Sequence, residues 1–127
     1  MTWEVEFTNE FEAWWTDQTE GVQISIDAVV QLLEALGPQL PHPHSSDIRG
    51  SKYGRMRELR VQHKGEPYRI LYAFDPRRVA ILLIGGNKGG NKRWYETQVP
   101  LADKLLTEHL ETLKREEKEG ARHGKKI

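Results

Sequence analysis

Four side chains between residues 60 and 95 are of the types that chemistry at a phosphate requires. Arg60 and Arg69 lie on consecutive strand-like runs, and Lys88 and Tyr95 follow in a glycine-rich segment. Guanidinium and ammonium groups donate charge-assisted hydrogen bonds to phosphate and can stabilise charge that develops on it. A phenol can carry a proton or stack on a nucleobase. If the fold brings these residues together, they predict a phosphate-binding cradle with one phenol.

Charge segregation favours a polyanion-binding surface in the same part of the chain. Residues 1–48 hold nine acids and no Lys or Arg, residues 49–95 hold twelve Lys or Arg and three acids, and residues 96–127 hold seven of each. The neutral total therefore hides local charges of −9, +9 and 0. A concentrated basic segment is typical of nucleic-acid binding. Further cations expected to contact such a ligand are Lys52, Arg55, Arg57, Lys92 and Arg93.

Residue periodicity predicts one α+β domain over residues 1–119, followed by a flexible tail over 120–127. Alternating or continuous apolar runs predict strands at 2–7, 55–63, 68–74 and 79–85. Apolar stripes predict two helices before Gly37, divided or kinked at Gly21, and one helix over 98–118. Residues 40–51 are predicted to be loop. We expect a twisted antiparallel sheet of about four strands, with strand one on either edge and three helices packed on it.

The turn at Lys64-Gly65 determines which side chains face each other. A two-residue hairpin there places His63 opposite Glu66 and Arg60 opposite Arg69, whereas a four-residue turn moves the two arginines to a diagonal. Facing like charges destabilise a pair of strands, so bound phosphate is one explanation for them. The alternative is that each arginine pairs with Glu58 or with an acid elsewhere.

The segment GGNKGGNKRWYE, residues 85–96, can form a basic loop that closely approaches a ligand. It does not match the phosphate-binding pattern GxxxxGK[ST], because Asn91 stands where the lysine is required. Nearby cations are expected to lower the pKa of Tyr95. A mobile loop followed by a core Trp94 and Tyr95 is the alternative.

Several classes of protein are disfavoured. The chain has no cysteine, no apolar leader at its start and no apolar run of membrane-spanning length, which is compatible with a cytoplasmic protein. No serine-hydrolase arrangement is evident, paired acidic residues at a basic site are absent, and no metal or other cofactor is expected. We expect His63 to be a strand-end residue, His109 to be core, and Arg77-Arg78 to form a solvated turn.

The ordered set ELR at 58–60, YRILYAF at 68–74 and the lysine-rich loop to Tyr95 resembles the RelE/HigB toxins of bacterial type II toxin–antitoxin systems, particularly their phage Gp49-like branch. The likeness spans about residues 30–112. It implies a RelE-like fold and a cytoplasmic, ribosome-dependent endoribonuclease that cleaves mRNA without a metal, by attack of the RNA 2′-OH on the adjacent phosphorus.

The resemblance also assigns roles to residues. Arg60, Arg69, Lys88 and Tyr95 correspond to the family's catalytic basic residues and its RNA-stacking or proton-transferring aromatic residue. Lys52, Arg55, Arg57, Lys92 and Arg93 would bind RNA. Glu58 stands where a lysine is common in RelE-like sequences, and Gly89 where an arginine is frequent, so the general acid and base stay unassigned.

The implied partners are the ribosome, mRNA and a cognate antitoxin of the helix-turn-helix, HigA-like type. A heterotetramer of toxin and antitoxin is one assembly that the resemblance allows. Two other functions fit the same residues. The chain could inhibit DNA gyrase without a nuclease activity, as ParE toxins of this fold do, or it could bind RNA without cleaving it.

Overall fold

The computed structural model describes residues 2–124, with side chains described for residues 2–119. Its elements in chain order are β1 Val5–Phe7, α1 Asn9–Thr16, α2 Glu20–Leu36, a short 3₁₀ helix Gly37–Gln39, β2 Ser45–Asp47, β3 Arg57–His63, β4 Glu66–Phe74, β5 Ala80–Asn87 and α3 Trp94–Gly124. None of the helices in the described part of the chain is long and apolar enough to span a membrane. The α+β class predicted from periodicity is confirmed.

The sheet has five strands in the order β1-β5-β4-β3-β2. Strands β2 to β5 form an antiparallel meander, and β1 joins the β5 edge in parallel. The prediction of about four strands missed β2, which lies in the segment predicted to be loop. Its sequence, Ser45-Ser46-Asp47, has no apolar alternation, so it becomes a strand only by pairing with β3.

The β3–β4 hairpin has the predicted two-residue turn. Lys64 and Gly65 both have positive φ, 51° and 81°, as a tight turn between twisted strands requires. The resulting register places His63 opposite Glu66 and Arg60 opposite Arg69, as predicted.

The two N-terminal helices are separated by a capped break, not by Gly21. The Thr8 hydroxyl accepts a hydrogen bond from the backbone N–H of Phe11, and Thr19 does the same for Val22. These caps start α1 and α2 respectively. Gly21 instead lies in the first turn of α2, where a Cβ atom would come within 3.2 Å of the His63 ring.

Each face of the sheet is covered by helices. One face packs on α1 and α2 through Leu59, Val61, Ile70, Tyr72 and Leu82. The other packs on α3 through Leu71, Ala73, Ile81, Leu83 and Ile84. Helix α3 begins at Trp94, four residues earlier than the predicted 98, and its backbone is helical to Gly124. Residues 125–127 lie outside the described residues, so the flexibility of the tail stays a prediction.

Two adjacent glycines of β5 allow a tryptophan to pack on each face. A Cβ atom on Gly85 would lie 2.5 Å from the Trp14 ring, and one on Gly86 would lie 2.5 Å from the Trp94 ring. These glycines were predicted to let a loop approach a ligand. They belong instead to the strand, where the absent side chains make room for indole rings.

A buried carboxylate ties the β4–β5 turn to α3 and β1. The Asp75 side chain accepts hydrogen bonds from the Arg77 guanidinium and lies 2.9 Å from Nε2 of His109, while Arg77 also contacts Glu6. Arg77 and Arg78 are exposed in the turn, as predicted, and Arg77 also pairs with the two carboxylates. The prediction of a core His109 was wrong, because 19% of its side chain is exposed and it contacts Asp75. Burial alone would raise the pKa of Asp75, but the hydrogen bonds from His109, Arg77 and two backbone N–H groups hold it below its usual range.

The Gly85→Ala variant should be less stable than the wild type by about 1–3 kcal/mol, because the added methyl group overlaps the Trp14 ring. Urea unfolding would measure this difference. Gly54→Ala is the matched control, since a Cβ there meets no atom within 4 Å. Equal stability of the two variants would contradict the packing role of Gly85.

The Asp75→Asn variant should lose about 1–3 kcal/mol at neutral pH through its weakened hydrogen bonds to charged groups. Because the pKa of Asp75 is lowered in the fold, its ionised form contributes stability above its unfolded pKa, and this contribution is lost as pH falls through the folded pKa. Unfolding curves of the two proteins should therefore converge below about pH 4. A constant difference down to pH 2 would oppose this assignment.

Candidate functional site

The carboxylate of Glu58 is the centre of a cluster whose residues come from β2, β3, β4 and α3. Its Oε1 accepts a 2.5 Å hydrogen bond from the Tyr95 hydroxyl, and its Oε2 accepts one of 2.6 Å from Ser46. Arg60 reaches Oε2 at 3.4 Å and Arg69 lies 3.5 Å from Oε1. Glu58 is only 4% exposed, so a single buried anion is shared by two cations and two hydroxyls.

Strand alternation explains why these groups share a face. Glu58 and Arg60 are two residues apart on β3, and Arg69 is opposite Arg60 on β4, so all three project toward the α3 face. Tyr95 lies in the first turn of α3 and reaches Glu58 from above the sheet. The alternative in which the arginines pair with Glu58 is therefore the observed arrangement, and the predicted facing of Arg60 and Arg69 is observed with it.

The two arginines differ in accessibility. The Arg60 side chain is 32% exposed, whereas that of Arg69 is 3% exposed. Arg69 donates to the backbone oxygen of Tyr68, and its buried Nε has no hydrogen-bond partner within the described part of the chain. Arg60 can therefore meet a phosphate from solvent, while Arg69 acts from behind Glu58. Direct phosphate contact by both arginines does not fit this arrangement.

The pKa of Tyr95 is raised, opposite to the predicted direction. Burial disfavours the phenolate, and the hydrogen bond and negative charge of Glu58 disfavour it further; Arg69 acts in the opposite direction without prevailing. The prediction considered only the cations around the phenol and omitted the carboxylate that accepts its proton. At neutral pH Tyr95 is a phenol whose O–H is directed at Glu58.

The glycine-rich loop contributes cations at the mouth of the cluster. Lys88 is half-buried with its Nζ 5.6 Å from the centroid of the Tyr95 ring, a cation–π distance. Lys92 and Arg93 are exposed immediately before α3. Trp94, which follows them, is core, as the alternative interpretation held.

The other predicted RNA-binding residues are spread over the surface. Lys52 is beside Asp103, about two turns along α3 from Tyr95. Arg57 is opposite Tyr72 on the α1/α2 face, where it pairs with Asp47 and donates to Ser45. Arg55 lines a surface depression with Arg57. The fold thus brings Arg60, Arg69, Lys88 and Tyr95 together but leaves Arg55 and Arg57 apart from them.

Sequence reasoning missed two members of the cluster, Glu58 and Ser46. Glu58 was noted only as a departure from a lysine and as one possible ion-pair partner. Its two-residue spacing from Arg60 already placed both on one strand face and could have identified it. Ser46 gave no signal, because the segment around it was predicted to be loop.

The cluster combines an accessible cationic mouth with a buried proton acceptor. Arg60 and Lys88 can receive an anionic ligand, and the Tyr95–Glu58 hydrogen bond offers a path for a proton. A bound phosphodiester would also compete with Glu58 for Arg60. This arrangement suits chemistry at a phosphate more than the recognition of a neutral molecule.

Comparisons with known proteins give relatives of one kind. A family model described as phage-derived protein Gp49-like matches residues 13–107. The chain is 41% identical over 106 residues to "Putative toxin HigB3" of Mycobacterium tuberculosis, covering 79% of this chain and 91% of that relative. It is 44% identical over 85 residues to "Putative toxin HigB2" of the same organism, covering 65% of this chain and 42% of that relative.

Two solved structures share the fold at low sequence identity. One is a chain of the archaeal RelE–RelB complex from Pyrococcus horikoshii, with a TM-score of 0.52 and 16% identity over 71% of this chain and 99% of that chain. The other is a mutant of the E. coli toxin RelE in the free state, with a TM-score of 0.54 and 13% identity over 77% and 96% of the two chains. The fold is thus RelE-like.

Replacing Glu58 with Gln should lower the pKa of Tyr95, because the acceptor's negative charge is removed while the Arg69 charge stays. The measurement is an NMR titration of the tyrosine Cζ resonances, with Tyr95→Phe identifying the signal. Glu66→Gln is the control, since Glu66 is exposed at the hairpin turn. An unchanged Tyr95 titration in Glu58→Gln would show that the hydrogen bond is not formed in solution.

Proposed function

The chain belongs to the phage-derived Gp49-like family and to the HigB toxins related to RelE, and from this premise we propose that it is the toxin of a type II toxin–antitoxin system. In this proposal it is an endoribonuclease that cleaves mRNA on the ribosome and so inhibits translation. The observation that carries the proposal is the convergence of Arg60, Arg69, Lys88 and Tyr95 on one face around Glu58.

The proposed reaction is an internal transfer at the scissile phosphate. The RNA 2′-oxygen bonds to the adjacent phosphorus, and the bond from phosphorus to the 5′-oxygen breaks. The products are a 2′,3′-cyclic phosphate and a 5′-hydroxyl. The 2′-OH must lose a proton to the protein, the leaving 5′-oxygen gains one from solvent water, and charge accumulates on the phosphate oxygens between these events.

The accessible cations are suited to that charge. Arg60 has one-third of its side chain exposed and can donate to a phosphate oxygen from the mouth of the cluster. Lys88, held over the Tyr95 ring, adds a second positive charge. Arg69 supports the site indirectly, because its buried guanidinium balances Glu58 and limits where that carboxylate can move.

Glu58 and Tyr95 are the groups through which a proton would move. Tyr95 keeps its proton at neutral pH and donates a hydrogen bond to Glu58, so the phenolic oxygen can accept a hydrogen bond from the RNA 2′-OH. Transfer through the phenol to Glu58 would complete deprotonation of the nucleophile. The ring of Tyr95 can also stack on a base beside the cleaved phosphate.

The proposed partners follow from the function and the relatives. RelE has been crystallised with RelB, and by analogy we propose that a cognate antitoxin, of the helix-turn-helix HigA-like type, binds this chain. The ribosome would present the mRNA. Exposed Lys92, Arg93 and Lys52 would add electrostatic attraction to the RNA surface.

Arg60→Ala should reduce ribosome-dependent mRNA cleavage by about 10²–10³-fold, as expected for loss of one group that stabilises the transition-state charge. The measurement is the rate of appearance of new 5′-hydroxyl ends in a reconstituted translation reaction. Arg115→Ala removes the same charge from an exposed position on α3 and should cleave like the wild type.

Tyr95→Phe in the same assay separates two roles of the phenol. Loss of cleavage with retained ribosome binding would support proton transfer through the hydroxyl, whereas retained cleavage would limit Tyr95 to stacking. Undiminished cleavage by the Arg60→Ala variant would show that the Glu58 cluster does not take part in catalysis. A wild-type chain that never cleaves translated mRNA would contradict the nuclease itself.

A further inference from the structure

An apolar groove lies on the opposite side of the sheet from the Glu58 cluster. It has a volume of about 460 Å³ and runs between α1, α2 and the outer strand β1. Its apolar wall is formed by Val5, Phe7, Phe11, Trp15, Val30 and Leu82. Phe7 is 54% exposed, which is unusual for a large aromatic side chain on a small domain. An open apolar surface of this kind marks an interaction site.

The rim of the groove is acidic. Glu12, Asp27 and Glu34 are its charged lining residues, and no Lys or Arg among the described residues lines it. The segment that supplies α1, α2 and β1 also lies within residues 1–48, which contain nine acids and no Lys or Arg. A ligand that fits must therefore combine an apolar face with positively charged edges.

This charge pattern excludes two occupants. RNA phosphates would be repelled by the acidic rim, so the groove is not an extension of the RNA-binding surface. A symmetric dimer that buried the groove against itself would bring acids against acids across a two-fold axis. A basic, amphipathic segment of a partner protein would not be repelled by the acidic rim and could cover the apolar wall.

We propose that this groove docks a basic amphipathic helix of the cognate antitoxin. Apolar residues spaced three and four apart would pack on Phe7, Phe11 and Trp15, and flanking Lys or Arg residues would pair with Glu12, Asp27 and Glu34. The inference rests on the proposed toxin–antitoxin function and adds to it the docking surface and the chemistry of the partner segment.

The position of the groove makes docking and catalysis separable. Phe7 and Leu82 face the α1/α2 side, whereas Glu58, Arg60 and Arg69 face α3. Substitutions at the groove rim touch none of the cluster residues. Cleavage activity therefore serves as an internal measure of correct folding for groove variants.

The test uses the full chain co-produced with the product of the neighbouring antitoxin gene. The double variant Glu12→Lys/Asp27→Lys should weaken the complex by about tenfold or more, because two attractive pairs become repulsive, and the loss should shrink at high salt. Glu111→Lys/Glu116→Lys makes the same change in net charge at exposed positions of α3 and should bind like the wild type. Both should cleave mRNA normally.

A second variant tests the apolar wall independently of charge. Phe7→Ala should also weaken the complex about tenfold, with little dependence on salt. Unchanged affinity of both groove variants, with the wild type binding the antitoxin, would overturn the groove inference and leave the proposed function standing. A wild type that cleaves mRNA but binds no product of the neighbouring gene contradicts the antitoxin and the groove together. A wild type that binds the antitoxin but does not cleave mRNA would contradict only the proposed nuclease activity.

Discussion

The structure of the site depends on one buried carboxylate. Arg60 and Arg69 face each other across two strands, an arrangement that repulsion alone would disfavour. Glu58 lies between them and offsets both charges, while Ser46 and Tyr95 satisfy its remaining lone pairs. A buried ion is stable only with such compensation. The same contacts fix the Tyr95 ring, over which Lys88 is held.

The two faces of the sheet carry surfaces of different chemical character. The α3 face holds the cationic cluster, with charges from the β3–β5 segment, and the α1/α2 face holds the acidic, apolar groove. Gly85 and Gly86 allow both faces of the sheet to be covered, since the Trp14 ring packs on Gly85 and the Trp94 ring packs on Gly86. Because the charge of the chain is segregated along its sequence, folding converts a linear asymmetry into two surfaces of opposite character.

Several expectations failed wherever a second segment changed the environment of a residue. Tyr95 was expected to have a lowered pKa from nearby cations, but its burial and then its hydrogen bond to Glu58 raise that pKa. His109 was expected to be core, but it is partly exposed and contacts the buried Asp75. Residues 45–47 were expected to be loop, but β3 recruits them as a strand. In each case the contact that determines the outcome is made by a residue distant in the sequence, which the local residue pattern does not indicate.

The sequence by itself determined the features that depend on near neighbours. Alternation and helical stripes identified most elements, the Lys64-Gly65 turn set the register that pairs Arg60 with Arg69, and the ELR and YRILYAF motifs indicated the family. Only the tertiary structure decided that Arg69 is buried, that Glu58 joins Ser46, Arg60 and Tyr95, and that β1 runs parallel to β5. The reason is physical: a hairpin register follows from two turn residues, whereas burial and the direction of a pKa shift depend on which distant segments pack around a group.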